Sequence, residues 1–229
     1  MSNEVIVTKD LSKTYGKGDL QVHALRKTDI IVRKSDYIAI MGPSGSGKST
    51  LMNLIGCLDK PTTGKLYIDS TDVYSLNENN LAKIRREKIG FIFQKYNLIP
   101  TLTALENVTL SMGFAGVNSK TRYKRGRKLL DMVGLSHRIN HKPSELSGGE
   151  QQRVAISRAL GNNPSIILGD EPTGNVDTKS GSKIMDILEN INNKGETVIV
   201  VTHDPNIAKR AKRILKIEDG VVIEKNVYR

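Results

Sequence analysis

Eight consecutive residues, Gly42-Pro43-Ser44-Gly45-Ser46-Gly47-Lys48-Ser49, constrain this chain more than any other stretch. They fit the spacing G-x-x-x-x-G-K-[ST], with the apolar run Tyr37–Met41 before them and a helical pattern over residues 48–58 after them. Glycines in such a turn let backbone N–H groups curl around phosphate, and the following helix start adds the positive end of its dipole. Lys48 then reaches the β- and γ-phosphates, and the Ser49 hydroxyl ligates Mg²⁺. The expectation is a nucleotide-binding α/β protein.

The remaining pattern agrees. Residues 5–7, 30–32, 65–68 and 89–93 read as strands, and 165–168 and 197–201 as the continuous apolar runs of buried parallel strands. Ile184, Ile187, Leu188 and Ile191 fall on one stripe of a helix. Residues 213–217 and 221–223 flank Asp219-Gly220 as a hairpin. From 102 to 160 the signal is mainly helical, which predicts an α/β core interrupted by a helical lobe.

Three further groups carry chemistry. Residues 166–171 form an apolar strand ending in two carboxylates. Asp170 is placed to hold Mg²⁺ and Glu171 to polarise an attacking water as general base. Leu146-Ser147-Gly148-Gly149-Glu150 precedes a helix and offers a second phosphate-binding helix start. His203 follows the strand at 197–201 and Gln94 the strand at 89–93, both at the carboxyl edge where α/β sheets keep their ligands.

The chain has 229 residues, enough for one large domain or a core with an inserted lobe. One cysteine excludes an internal disulfide and a cysteine-based metal site. No apolar run approaches the ~20 residues that span a bilayer, and MSNEVIVTKD has no basic-then-apolar leader pattern, so a soluble cytosolic protein is expected. Lys and Arg number 35 against 24 Asp and Glu, a net charge of +11. That invites nucleic acid, an anionic membrane surface or an acidic ligand as partner.

Taken together, the phosphate loop, Gln94, LSGGE, Asp170-Glu171 and His203 resemble, in that order, the ATP-binding-cassette (ABC) ATPases over essentially the whole chain, with LSGGE the most specific element. The resemblance implies a phosphate-loop NTPase core with a mixed sheet, an N-terminal antiparallel β subdomain and an inserted α-helical subdomain. It implies one domain over residues 1–229, with 1–95 and 162–229 as the α/β core and about 96–161 as the helical part. ATP and Mg²⁺ are the implied cofactors, and ATP hydrolysis the implied activity. Residues 42–49 with Thr50 would hold the nucleotide of one copy, and Ser147, Gly148, Gly149 and Glu150 would close on it from a second copy. Gln94 looks like the glutamine that touches Mg²⁺ and the attacking water, and Ser49, Gln94 and Asp170 are the implied metal ligands. Residues 174–177 look like the D-loop, His203 like the switch histidine on the γ-phosphate, and Tyr15 like the aromatic that stacks on adenine.

Residues 56–61 and 90–108 resemble one subgroup, the macrolide-exporter, lipoprotein-release and antimicrobial-peptide transporter ATPases. Gly169 stands where Ala is usual and Glu150 where Gln is frequent; neither departure removes a catalytic group. The implied partners are a second copy bound through ATP, an integral membrane permease and, peripherally, the cytoplasmic membrane face. Residues 117–142 hold eight basic side chains against Asp131 alone, a net +7, and Lys209, Arg210, Lys212, Arg213 and Lys216 form a second cluster. The first reads either as a solvated helix face or as a face toward anionic lipid or an acidic permease segment. A soluble cassette ATPase acting on nucleic acid or ribosomes is the alternative. The 53 positions between Gln94 and Ser147 leave no room for a coiled-coil insertion, and one signature means one cassette.

Overall fold

The computed structural model describes residues 3–226; Met1, Ser2 and residues 227–229, part of the expected single domain, lie outside them. Five strands form an antiparallel sheet in the order β2 (Val22–Thr28), β1 (Glu4–Tyr15), β5 (Thr63–Ile68), β6 (Thr71–Asp72), with β3 (Ile31–Arg33) also on β1. A second, six-stranded sheet runs β11 (Val221–Asn226), β10 (Arg213–Glu218), β4 (Tyr37–Met41), β9 (Thr197–Val201), β8 (Ile166–Asp170), β7 (Ile89–Ile92). All its pairings are parallel except the β10–β11 hairpin.

The α-helices of the described residues are α1 (Lys48–Ile55), α2 (Glu78–Lys88), α3 (Ala104–Phe114), α4 (Ser119–Met132), α5 (Gly148–Ala159), α6 (Thr178–Asn193) and α7 (Pro205–Ala208). Alternation along the central strands sorts the core. Ile38 and Ile40 of β4 point with Ile166, Leu168, Ile199 and Val201 toward Leu51, Leu54 and Ile55 of α1. Tyr37 and Ala39 point with Ile167, Val198 and Val200 to the opposite face, against the α6 stripe Ile184, Leu188 and Ile191. A sheet buried on both faces leaves only its strand ends open for a site.

Two of the expected elements differ in extent from the sequence expectation, which also held no counterpart of β2 or α2. The first strand extends well past residue 7, because β1 pairs with β3 and β5 along its first part and with β2 at its end, with register shifts between Leu11 and Thr14. Helix α1 stops at Ile55 rather than 58, where Gly56 and Cys57 end it; Cys57 takes a left-handed φ of 56°. The basic cluster near the C-terminus is largely neutralised. Arg210 pairs with Asp186 and Glu189, Arg213 with Asp36 and Glu224, and Lys216 with Glu218. On α4, Lys120, Lys124, Arg127 and Lys128 are exposed and make no ion pair among the described residues.

Candidate active site

β4 delivers the chain at Met41 into a loop that only glycine allows. A Cβ on Gly42 would stand 2.2 Å from the Ile217 carbonyl oxygen and 2.6 Å from Ser46 Oγ. Gly47 has φ 109°, and a Cβ there would stand 2.2 Å from the Ala24 carbonyl oxygen. The Gly220 N–H in the β10–β11 turn braces the loop by donating to the Ser46 carbonyl at 3.0 Å. Pro43, Ser44, Gly45 and Ser49 are exposed and Thr50 is half-buried, whereas Ser46 is buried with no partner for its hydroxyl among the described residues.

Helix α1 differs from the other α-helices of the described residues in having no side-chain cap. Asn77, Thr103, Asn118, Ser147, Asp177 and Asp204 cap the other six. Its first-turn N–H groups therefore have no partner among the described residues, the condition for holding an anion. Lys48 folds back over the loop, donating from Nζ to the carbonyls of Gly42 at 2.9 Å and Pro43 at 2.7 Å. The loop thus fits a polyphosphate in donors, backbone approach and charge.

The parallel register brings the remaining groups to the same edge. Ile92 pairs with Gly169, Asp170 with Val201, and Val201 with Ile40, so Gln94, Asp170, Glu171 and His203 leave neighbouring strands beside the loop. Burial, and then the adjacent Glu171 charge, raise the Asp170 carboxyl above its ordinary value, while Lys48 pulls it down. Glu171 has a left-handed φ of 44°, a conformation that costs a non-glycine residue about 1 kcal/mol or more. Its N–H donates to the Val201 carbonyl at 3.0 Å, and its Oε1 accepts from the His203 N–H at 3.1 Å and from Nδ1 at 2.7 Å. Gln94 is exposed. Its carbonyl accepts from Asn175 Nδ2 at 2.9 Å, and a Cβ on Gly174 would stand 2.7 Å from its amide nitrogen.

Tyr15 ends β1 beside α1. Its hydroxyl donates to Asp59 Oδ2 at 2.7 Å and lies next to Thr50, and Lys13 Nζ sits 4.8 Å from the ring centroid. Burial and the Asp59 hydrogen bond push the phenol upward. Asp59, quoted in the sequence only as part of a subgroup motif, also accepts Lys13 Nζ at 2.7 Å. This clamp joins residues 44 apart and has no sequence signature.

Ser147, Gly148, Gly149 and Glu150 do not join this cluster. They begin α5, where Ser147 and Glu150 cap each other, and their close neighbours are Tyr96, Asn175 and Ser180 rather than the phosphate loop. These four of the residues expected to hold nucleotide thus lie elsewhere on the same chain. The metal donors expected from the sequence, Ser49, Gln94 and Asp170, are all oxygen donors of the kind Mg²⁺ takes. No cluster of three or more His, Cys, Asp or Glu suited to a metal occurs among the described residues, so phosphate and water would complete the shell.

A family model described as ABC transporter matches residues 25–174. The chain belongs to the ABC transporter family. An uncharacterised ABC transporter ATP-binding protein of Methanocaldococcus jannaschii is 52% identical over 223 residues, covering 95% of each chain. A solved dimeric structure of that archaeal cassette, in a post-hydrolysis state bound to ADP and Pi, superposes with a TM-score of 0.89 at 49% identity, covering 98% of this chain and 99% of that one. The macrolide export ATP-binding/permease protein MacB of Brucella melitensis biotype 1 is 48% identical over 225 residues; the match covers 98% of this chain but 35% of that protein. The ABC chain is an ATP-binding, ATP-hydrolysing subunit of its family, with the α/β cassette fold that the sequence predicts. These relatives give no support to the nucleic-acid alternative.

Proposed function

We propose that two copies of this chain close head to tail around two ATP, each held between residues 42–50 of one copy and Ser147–Glu150 of the other, and that closure drives a membrane permease. One observation carries the reading: the phosphate loop, Asp170, Glu171 and His203 share one sheet edge, while the signature loop lies apart on α5. The dimeric archaeal relative supports the pairing.

Lys48 and the open α1 start bind the β- and γ-phosphates, and Tyr15 takes the adenine. Mg²⁺, when bound through Ser49, Asp170 and Gln94, supplies charge neutralisation at the phosphates. Glu171 accepts a proton from the attacking water as general base, and His203 holds that carboxylate in place while reaching the γ-phosphate. The module is one domain in which residues about 96–161 form a helical arm on the α/β core.

The permease docks in a groove of about 250 Å³ between α2, β7, α3 and α5. Arg85, Arg86, Phe91, Phe93, Ser111 and Arg158 line it; Arg86 Nε and Ser111 Oγ are buried without partners among the described residues. This chemistry suits a short cytoplasmic segment bearing carboxylates. MacB carries permease and ATPase in one chain by its name, and no described helix here is long and apolar enough to cross a membrane. The chain therefore works at the cytoplasmic membrane face through its partner, in export, lipoprotein release or peptide resistance. The test is size-exclusion of Glu171→Gln with Mg-ATP. A shift to dimer supports the reading, and a monomer that binds nucleotide defeats it.

A further inference from the structure

Glu150 places a carboxylate in the third position of α5, in the loop proposed to meet ATP from the second copy. The Gly148 and Gly149 N–H groups make no hydrogen bond among the described residues, so this helix start is open to an anion. A free carboxylate there competes with phosphate for the same positive dipole end.

In the structure that carboxylate is drawn back. Its Oε2 accepts the Ser147 N–H at 2.9 Å, and its Oε1 accepts Arg138 Nε at 3.1 Å. Arg138 is steadied in turn by His141, whose Nε2 lies 3.1 Å from the other side of the guanidinium. The pair is half-shielded, with Glu150 15% exposed and Arg138 35%. Arg138 follows the α4 helix in a three-residue turn, Ser136–Arg138, twelve residues before its partner.

We propose that Arg138 is a positioning residue whose guanidinium holds the Glu150 carboxylate folded back and neutralised on the Ser147 N–H, so that the Ser147 hydroxyl and the Gly148 and Gly149 N–H groups offer an uncontested anion site to the γ-phosphate of ATP bound on a second copy. The proposal rests on the head-to-tail reading above. A glutamine at this position needs no such neutralisation; a glutamate does. The arginine therefore acts on affinity for the second copy's ATP rather than on the chemical step.

The experiment uses the full chain carrying Glu171→Gln and follows dimer formation by size-exclusion with light scattering as Mg-ATP rises. Adding Arg138→Gln raises the ATP needed for half-dimerisation about tenfold, the scale of a like-charge penalty at a partly buried interface. The increase shrinks as salt is added, because screening weakens the repulsion. Adding Glu150→Gln as well returns the ATP requirement to that of the parent, an effect that a merely structural arginine would not produce. Thermal melting of each variant in parallel reports that the fold is intact. An unchanged ATP requirement in Arg138→Gln, or a defect that Glu150→Gln leaves in place, overturns the assignment while the dimer stands. A parent that stays monomeric at saturating Mg-ATP overturns the head-to-tail reading, and the assignment with it.

Discussion

Glu171 and His203 are joined twice through one oxygen: Oε1 accepts both the His203 backbone N–H and its Nδ1. Oε2 has no partner among the described residues. The carboxylate is therefore anchored on one side and open to a water on the other, the geometry a general base needs. Replacing Glu171 with Gln is expected to lower kcat about 100-fold or more, with nucleotide binding retained. His203→Ala lowers kcat less, and the double change costs little beyond Glu171→Gln alone, because the two act as a unit. Steady-state phosphate release checks all three.

Asp170 couples function to a stability cost. Its carboxyl is raised by burial first and by Glu171 second, so the folded state binds its proton more tightly than the unfolded chain. Stability is then lost as pH rises from the ordinary carboxylate range through the raised value. Asp170→Asn is expected to raise the nucleotide-free Tm at pH 7 by about 2 °C, or about 0.5–1 kcal/mol for a chain of this size. The same change abolishes Mg-dependent hydrolysis. Calorimetry with and without Mg-ATP separates the two effects.

Tyr15 and Asp59 set affinity rather than rate. Tyr15→Ala is expected to raise KM for ATP about tenfold or more, through loss of about 1–3 kcal/mol of base stacking. Asp59→Ala releases the hydroxyl and the Lys13 ammonium, and raises KM by a smaller factor with kcat unchanged. Inorganic tripolyphosphate, which has no base, should bind both variants and the parent alike.

How far the sequence reached follows from what each residue depends on. The phosphate loop was legible because a left-handed Gly47 and a close-packed Gly42 leave few alternatives at those positions. The central strands were legible from unbroken apolar runs such as Thr197–Val201. By contrast β2, VHALRKT, has only Leu25 and Thr28 buried, and α2 buries only Leu81, so neither carries a strong period. The Tyr15–Asp59 and Arg138–Glu150 pairs were not legible as pairs, because tertiary packing alone brings their side chains together.

The groove between core and helical arm gives a prediction for the partner. Arg86→Glu is expected to weaken co-purification with a membrane permease, since it places a like charge against a carboxylate-bearing segment. Pull-down from detergent-solubilised membranes of the native host, with the parent chain as reference, measures it. Equal recovery of the same membrane protein by both chains argues against the groove as the docking site.

Mixing two inactive chains tests the shared site most directly. Lys48→Ala removes the phosphate-loop cation, and Ser147→Arg blocks the signature loop; each chain alone is expected to hydrolyse no ATP. A head-to-tail pair formed from one of each holds one intact site, built from the phosphate loop of the second chain and the signature loop of the first. Phosphate release is expected to reappear on mixing and to peak at equal amounts. Activity that stays at the sum of the two inactive chains, while the mixed dimer forms, would contradict the shared site.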